Sequence, residues 1–168
     1  MLRQTKGFWM KTLICVCVLI ALWSIPFAQN DSTALDNEIN ELLKMHKQGR
    51  EAHFRTNVDL LLSNHPEAGF ISVTQGKISQ VSKDQSRQRF AAYFKDAQYY
   101  EWDDLEPPIV RVSKDGTLAW MITRLKVRRT QKDSAGTVKE EKFVYAGIMT
   151  YEKKDGKWIK TANVSTFE

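Results

Sequence analysis

The chain has 168 residues, of which 42% are hydrophobic and 27% charged, with only eight Gly, four Pro and two Cys. This composition excludes a disordered chain, a collagen-like repeat, a multi-pass membrane protein and a disulfide-rich scaffold. The length suits one domain with a substantial core. The formal net charge of +5 is an excess that nucleic-acid-binding proteins often carry, so its distribution along the chain decides its meaning.

Residues 1–28 have the layout of a bacterial secretory signal peptide. They contain three basic residues and no acidic one, and an apolar run covers residues 13–25. A cleavage near Ala28 would leave a mature chain that is exported, periplasmic or secreted. Translation from Met10 would give a shorter signal of the same layout. A retained anchor is the alternative, but the apolar run is shorter than the roughly 20 residues that span a bilayer.

Export changes the charge balance. Removal of Arg3, Lys6 and Lys11 leaves 22 basic and 20 acidic residues, a net charge of +2. Cys15 and Cys17 also lie in the signal, so the mature chain has no Cys and its core must hold by packing alone. We therefore expect no nucleic-acid partner, and membrane contact only through the signal segment.

The mature chain, residues 29–168, changes from helical to strand periodicity along its length. Apolar residues recur at helical spacing over residues 33–55, over a short stretch from Asn57, and over residues 85–97. Strands with turn signals between them are predicted at residues 70–73, 109–112, 118–129, 142–151 and 158–167. This order favours an α+β domain in which helices pack on one face of a curved antiparallel sheet.

Several short stretches, taken in order and spacing, carry a family resemblance. They are EINELL (38–43), REAHF (50–54), NVDLLL (57–62), FISV (70–73), GKI (76–78), FAAYF (90–94) and YEKKDGKW (151–158). Together they resemble the nuclear transport factor 2-like superfamily, in its SnoaL-like and ketosteroid-isomerase-like bacterial branch. The resemblance covers nearly all of the mature chain. It implies a cystatin-like cone, in which a curved antiparallel sheet wraps around the long first helix and a pocket opens between them.

The same resemblance gives a test for catalysis. Isomerase-type members use an Asp general base on the strand after the second helix, and a Tyr with a protonated Asp as oxyanion hole. Here residues 69–74 hold no carboxylate and residues 34–55 hold no Tyr. Many other members carry a His near the end of the last strand, at a position that falls near Val164 in this chain. The family's catalytic residues are therefore not recognisable.

The predicted function is an exported protein whose cone pocket binds a small, largely apolar molecule, without recognisable catalytic machinery, cofactor or metal. One alternative is a SnoaL-like isomerase, hydratase or cyclase that uses acid–base residues in the pocket. The other is an interaction module that forms a homodimer through the sheet face, as some members of the superfamily do.

Five residues are the candidates to line the pocket: His53, Trp102, Trp120, Arg124 and Tyr145. His53 lies near the end of the first helix, where the helix would approach the pocket mouth. The three aromatic residues could form walls for an apolar or planar ligand. Arg124, the base deepest in the predicted sheet, is the candidate contact for an anion.

The remaining histidines have weaker patterns. His46 and His53 are seven residues apart, so they share a face of the first helix. His65 precedes Pro66 in a predicted loop, where we expect it to be exposed. Two His without a carboxylate at ligand spacing do not predict a zinc site.

Charged and aromatic residues elsewhere have structural explanations. Arg128 and Arg129 should face Glu140 and Glu141 across a hairpin, as exposed ion pairs that stabilise it by a few tenths of a kcal/mol. Trp158 is expected to fill the core between sheet and helices. The aromatic and acidic stretch over residues 99–104 should border the pocket or a dimer seam.

Overall fold

The structure, a computed structural model, describes the backbone of residues 30–168 and side chains from Thr33 onward. The predicted signal segment, residues 1–28, lies outside this range, so export stays a prediction. Within the described part of the chain, no helix is both long enough and apolar enough to cross a membrane.

The three predicted helices are present. They are α1 (Asn30–Phe54), α2 (Val58–Leu62) and α3 (Lys83–Phe94). Helix α3 begins at a capping box, in which the Ser82 hydroxyl accepts from the Gln85 N–H at 3.2 Å and the Gln85 side chain accepts from the Ser82 N–H at 3.0 Å. These reciprocal bonds satisfy two backbone donors that a helix start leaves free, which fixes the boundary two residues before the predicted one.

In the described part of the chain seven strands form one sheet, and two of them were not predicted. They are β1 (Phe70–Thr74), β2 (Lys77–Val81), β3 (Gln98–Asp104), β4 (Ile109–Val112), β5 (Leu118–Lys132), β6 (Val138–Lys154) and β7 (Lys157–Phe167). Strand β2 was missed because four of its five residues are exposed, which leaves no alternating pattern to detect. Strand β3 was treated only as an aromatic and acidic stretch.

The sheet is mixed, so the prediction of a purely antiparallel sheet is wrong. The strand order is β2-β1-β7-β6-β5-β3, and β4 also pairs with β5. Strands β1 and β7 run parallel, whereas every other described pair is antiparallel. The parallel pair arises because β7, at the end of the meander β5-β6-β7, returns beside β1 in the same direction.

A bulge in the β6–β7 ladder decides which residues of β7 face the helices. Thr150 pairs with Ala162 but Tyr151 pairs with Lys160, so Thr161 has no partner in the ladder. An extra residue bends the strand and reverses the alternation of its side chains beyond that point. As a result Lys160, before the bulge, and Asn163, after it, lie on the same side of the sheet.

Two clusters of buried residues form the core. In the first, Leu42 of α1 packs with Val110, Ala119, Met121, Tyr151 and Trp158 of the sheet. Trp158 is 4% exposed, which confirms its predicted role in the core. The second cluster joins Phe94 of α3 with Tyr99, Leu125 and Val127. A cavity borders both clusters and is lined by residues of α1, α3 and the inner face of the sheet.

Candidate functional site

A cavity of about 650 Å³ lies against the inner face of the sheet. About half of its lining residues are polar, but most of its lining surface is apolar and includes the rings of Phe70, Phe90, Tyr93, Trp102, Phe143 and Tyr145. Cavities of this size and composition are typical of sites for small ligands.

His53, near the end of α1, is held in one orientation. Its Nδ1 is 2.7 Å from the carbonyl oxygen of Gly49, which can only accept, so Nδ1 carries the proton and Nε2 is left with a lone pair. The ring stacks on Trp102 and has Tyr99 and Phe94 at its edges. Burial among these rings lowers the pKa of His53 to about 4, so the imidazole is neutral at neutral pH.

Tyr145 crosses the inner face of β6 because Gly147 has no side chain. A Cβ at Gly147 would overlap the Tyr145 hydroxyl and ring. In the absence of that atom, the Tyr145 hydroxyl donates to Oδ1 of Asn163 on β7 at 3.0 Å. Burial raises the pKa of Tyr145 to about 12, so it remains a protonated donor. Gly147 thus fixes the position of one polar group in the cavity wall.

A row of small and hydroxylated residues runs across four neighbouring strands of the cavity floor. Thr123 pairs with Gly147, Gly147 with Ser165, and Ser165 with Thr74. The Ser165 hydroxyl lies 3.4 Å from that of Thr74. The Thr123 side chain is 2% exposed, and its hydroxyl has no hydrogen-bond partner among the described residues. Buried hydroxyls are normally satisfied, so Thr123 is an unusual polar group within the floor of the cavity.

Lys160 of β7 contributes a cation to the same space. Its side chain keeps part of its accessible surface and lines the cavity. Even so, the surrounding protein desolvates the ammonium enough to lower its pKa to about 8. The nearby positive charge of Lys160 in turn helps to lower the pKa values of His53 and His65, after the larger effect of burial.

His65 is buried, so the prediction that it is exposed is wrong. Only 5% of its surface is accessible, and its ring packs on Phe70 with centroids 4.7 Å apart. The Lys160 N–H donates to the Asn64 carbonyl at 3.0 Å, which ties the loop to β7. Nδ1 of His65 has no hydrogen-bond partner among the described residues. Burial lowers the pKa of His65 to about 3, so this ring is also neutral.

Arg129 reaches the cavity from β5 and is held by several contacts. Its guanidinium lies 2.7 Å from Glu141, donates to the Tyr99 hydroxyl at 3.0 Å and sits over the Tyr93 ring at 4.1 Å. The predicted cross-strand pair with Glu141 is confirmed, but Arg129 itself is 6% exposed. The expectation of an exposed pair is wrong here because β5 turns Arg129 inward, whereas its neighbour Arg128 points outward.

Two polar pairs join α1 to the end of β3. Nε2 of His46 lies 2.9 and 3.0 Å from the two carboxylate oxygens of Asp104. Arg50 donates to Asp103 at 2.7 Å and to the Trp102 carbonyl at 2.9 Å. These bonds position Trp102 beside His53, and they leave both carboxylates outside the cavity wall.

Three of the five predicted pocket residues line the cavity: His53, Trp102 and Tyr145. That they contact a ligand stays a prediction. Trp120 and Arg124 do not line it, because residues of β5 alternate and the even-numbered ones point to the outer face of the sheet. Arg124 instead pairs with Glu106 at 3.1 Å, so its predicted role as an anion contact in the pocket is wrong. Dimerisation through the face that carries Trp120 stays a prediction.

Sequence reasoning missed Thr123, Arg129 and Lys160. Thr123 and Arg129 could have been found from the alternation of side chains along β5. The apolar residues Leu125 and Val127 lie between them and mark the odd-numbered positions as the inward ones. Lys160 and the bulge beside it had no comparable signal. A count from Trp158 that ignores the bulge places the family's His position near Val164, which is 43% exposed on the outer face. The inward residues on either side of it are Asn163 and Ser165.

The chain is similar to known proteins in structure but not detectably in sequence. No protein-family model and no curated protein sequence matches this chain. A nuclear transport factor 2-like protein with a cystatin-like fold from Novosphingobium aromaticivorans superimposes with a TM-score of 0.59 and 15% identity, over 84% of this chain and 90% of its own. A ketosteroid isomerase-like protein from Erwinia carotovora atroseptica gives 0.58 and 13%, over 77% and 95%.

The chain has the nuclear transport factor 2-like fold. A candidate dehydratase of the nuclear transport factor 2-like family from Streptomyces avermitilis gives a TM-score of 0.56 at 10% identity, over 78% of this chain and 96% of its own. The resemblance predicted from sequence is therefore confirmed at the level of fold. At such low identities, the functions of these neighbours do not transfer to this nuclear transport factor 2-like domain.

Proposed function

We propose that this protein binds a small, largely apolar molecule in the cavity. The observation that carries the proposal is the combination of a volume of about 650 Å³ with a lining surface that is mostly apolar and includes eight aromatic side chains. Each Å² of apolar surface removed from water contributes about 25 cal/mol, so a ligand of two to four rings would gain useful affinity there. Trp102 and Tyr145, already fixed by their neighbours, provide walls that need no rearrangement.

The proposal is tested by filling the cavity. Ser165 faces the cavity and is 7% exposed, whereas the adjacent Val164 faces outward. Ser165→Phe should abolish binding, and Val164→Phe on the same strand is the matched control. If Ser165→Phe fails to fold, Ser72→Phe on the neighbouring strand β1 fills the same cavity.

The probes are neutral compounds of two to four rings, with 2-naphthamide among them, measured by thermal shift and calorimetry. A ligand that binds only the folded state raises the melting temperature. We expect stabilisation of the wild type and of Val164→Phe, and none of the filled variants. The proposal is wrong if no compound stabilises the wild type, or if the filled variants bind as the wild type does.

Proton transfer is the second candidate function, and the free Nε2 of His53 favours it. A neutral imidazole whose other nitrogen is fixed can accept a proton from a bound ligand, as a general base does. Lys160 could stabilise a developing enolate oxygen in the same cavity. The test is conversion of a β,γ-unsaturated cyclic ketone to its conjugated enone, followed by ultraviolet absorbance. Activity above buffer that is lost in His53→Gln and kept in Val164→Phe would support an isomerase.

Export is a separate proposal, which rests on the sequence of residues 1–28. Production of the full chain in a bacterial host, followed by fractionation and N-terminal sequencing, tests it. A periplasmic or secreted product that begins close after Ala28 would support a cleaved signal. A full-length product in the membrane fraction would support the retained anchor instead.

A further inference from the structure

The charged residues that line the cavity are all basic. Arg50, Arg89, Arg129 and Lys160 line it, and among the described residues no Asp or Glu does. Two of the four have carboxylate partners behind the wall, since Arg50 and Arg129 pair with acidic residues outside the cavity. Arg89 is exposed to solvent, where water compensates its charge. Lys160 is the remaining cation.

Lys160 has no counter-ion in the described part of the chain. No carboxylate lies within 4.0 Å of its ammonium group there, and its side chain makes no hydrogen bond to another described residue. Lys153 lies on β6, the other strand of the β6–β7 hairpin, and is a useful comparison. It pairs with Glu38 and lies over the Trp158 ring. A cation that is partly desolvated without a partner is unfavourable, which makes an unpaired lysine in a cavity wall unusual.

The neighbours of Lys160 cannot supply the missing negative charge. His53 from α1 and His65 from the loop after α2 are held neutral by burial, and Arg129 from β5 is itself a cation. Tyr151, its partner in the β6–β7 ladder, and Tyr145 stay protonated because burial raises the pKa of each hydroxyl. The compensating charge therefore has to come from outside this wall.

We propose that the ligand is a monocarboxylate, whose carboxylate binds the Lys160 ammonium while its apolar body lies against the aromatic wall. This inference rests on the proposed binding function and names the chemical class of the ligand. A single negative charge fits a single unpaired cation. A phosphate ester would bring up to two charges, and the other cations of the wall are already paired or solvated.

The test compares two ligands that differ only in charge. The probes are 2-naphthoate and 2-naphthamide, which share the ring system and nearly the same volume. The variants are Lys160→Met, which keeps an unbranched side chain but removes the charge, and Lys157→Met as the control. Lys157 is exposed at the start of the same strand, so its removal changes the net charge equally without reaching the cavity.

A buried charge-assisted pair should favour 2-naphthoate over 2-naphthamide by about tenfold or more in the wild type and in Lys157→Met. In Lys160→Met this preference should vanish, with the affinity for the amide changed by less than about twofold. Because the substitution removes an unpaired cation, the variant should fold; Lys160→Gln gives a second, polar replacement if it does not.

A further test uses the wild type alone and varies the pH. Binding of 2-naphthoate should weaken above about pH 8, where Lys160 loses its proton, while binding of the amide stays constant. A preference for the carboxylate that persists in both Lys160 variants overturns the inference. Equal binding of both probes to the wild type overturns it as well, and leaves the proposed binding of apolar molecules intact. Failure of both probes, together with the neutral panel, overturns both proposals.

Discussion

The imidazole of His53 stacks on the indole of Trp102, with ring centroids 3.5 Å apart and planes inclined by 17°. One residue comes from α1 and the other from β3, so the stack links two elements that are about fifty residues apart in sequence. It also removes the imidazole from water, which disfavours the charged form of the ring. His53 and His65 are consequently two buried histidines that must stay neutral for the fold to be stable.

The first prediction is that acid destabilises this protein through these two rings. Burial lowers the pKa of His53 to about 4 and that of His65 to about 3, from 6.5 in the unfolded chain. Between these values and 6.5 the unfolded state binds more protons, so stability is complete above pH 6.5 and falls as the pH drops. Linkage gives a loss of about 2 kcal/mol per histidine between pH 7 and pH 5.

Urea denaturation at the two pH values measures this loss. His53→Leu and His65→Leu should each reduce the pH 7 to pH 5 difference by about 2 kcal/mol, whatever their effect at pH 7. Carboxylates that titrate near pH 5 contribute equally to the wild type and both variants, so they cancel in the comparison. A pH dependence unchanged by either substitution would contradict the burial of these rings.

The fold could be predicted from sequence where one periodicity dominates. The helical spacing around Leu42 and the alternation around Met121 and Val127 are both enforced by burial on one face. The parallel pairing of β1 with β7 could not be predicted, because the same apolar pattern fits either strand direction. The bulge at Thr161 was equally hidden, since its effect depends on the register with β6.

The site could be predicted only in part for the same reason. His53, Trp102 and Tyr145 are residue types whose chemistry draws attention, and they line the cavity. Trp120 and Arg124 drew attention equally, but side chains alternate along β5 and these two point to the outer face of the sheet. Lys160 is one of many lysines in the sequence, and only the three-dimensional arrangement places it in the cavity wall without a partner among the described residues.

The second prediction concerns the glycine under Tyr145. Gly147→Ala should destabilise the protein by about 1–3 kcal/mol, because the new methyl group occupies space held by the Tyr145 ring and hydroxyl. Tyr145 would have to move and give up its bond to Asn163. Urea denaturation measures this loss of stability.

Gly49 is the matched control for this substitution. It lies inside α1, and a Cβ there meets no atom within 4 Å. Gly49→Ala should therefore stabilise the protein by about 0.5–1 kcal/mol, since alanine is the better helix former. Effects of opposite sign are expected for the two glycines, and a neutral Gly147→Ala would mean that Tyr145 does not lie across β6.

The third prediction separates two neighbouring ion pairs of one hairpin. Arg129 is 8% exposed in its side chain and pairs with Glu141, whereas Arg128 is 36% exposed, pairs with Glu140 at 3.4 Å and has a second partner in Glu101. Removal of a partner from a buried charge leaves that charge uncompensated, but removal from an exposed one does not. The two pairs should therefore differ in energy although their chemistry is the same.

Glu141→Gln should cost about 1–3 kcal/mol, less than for a fully buried pair because Glu141 is itself 45% exposed and Tyr99 still accepts from the guanidinium. Glu140→Gln should change stability by less than about 0.5 kcal/mol. Both variants lose one negative charge, so the change in net charge cancels when their urea midpoints are compared. Salt at 1 M should reduce the contribution of the exposed Arg128–Glu140 pair to stability. It should leave most of the contribution of the Arg129–Glu141 pair, because salt screens buried pairs only weakly. Equal losses for the two variants would contradict the inward position of Arg129 in the cavity wall.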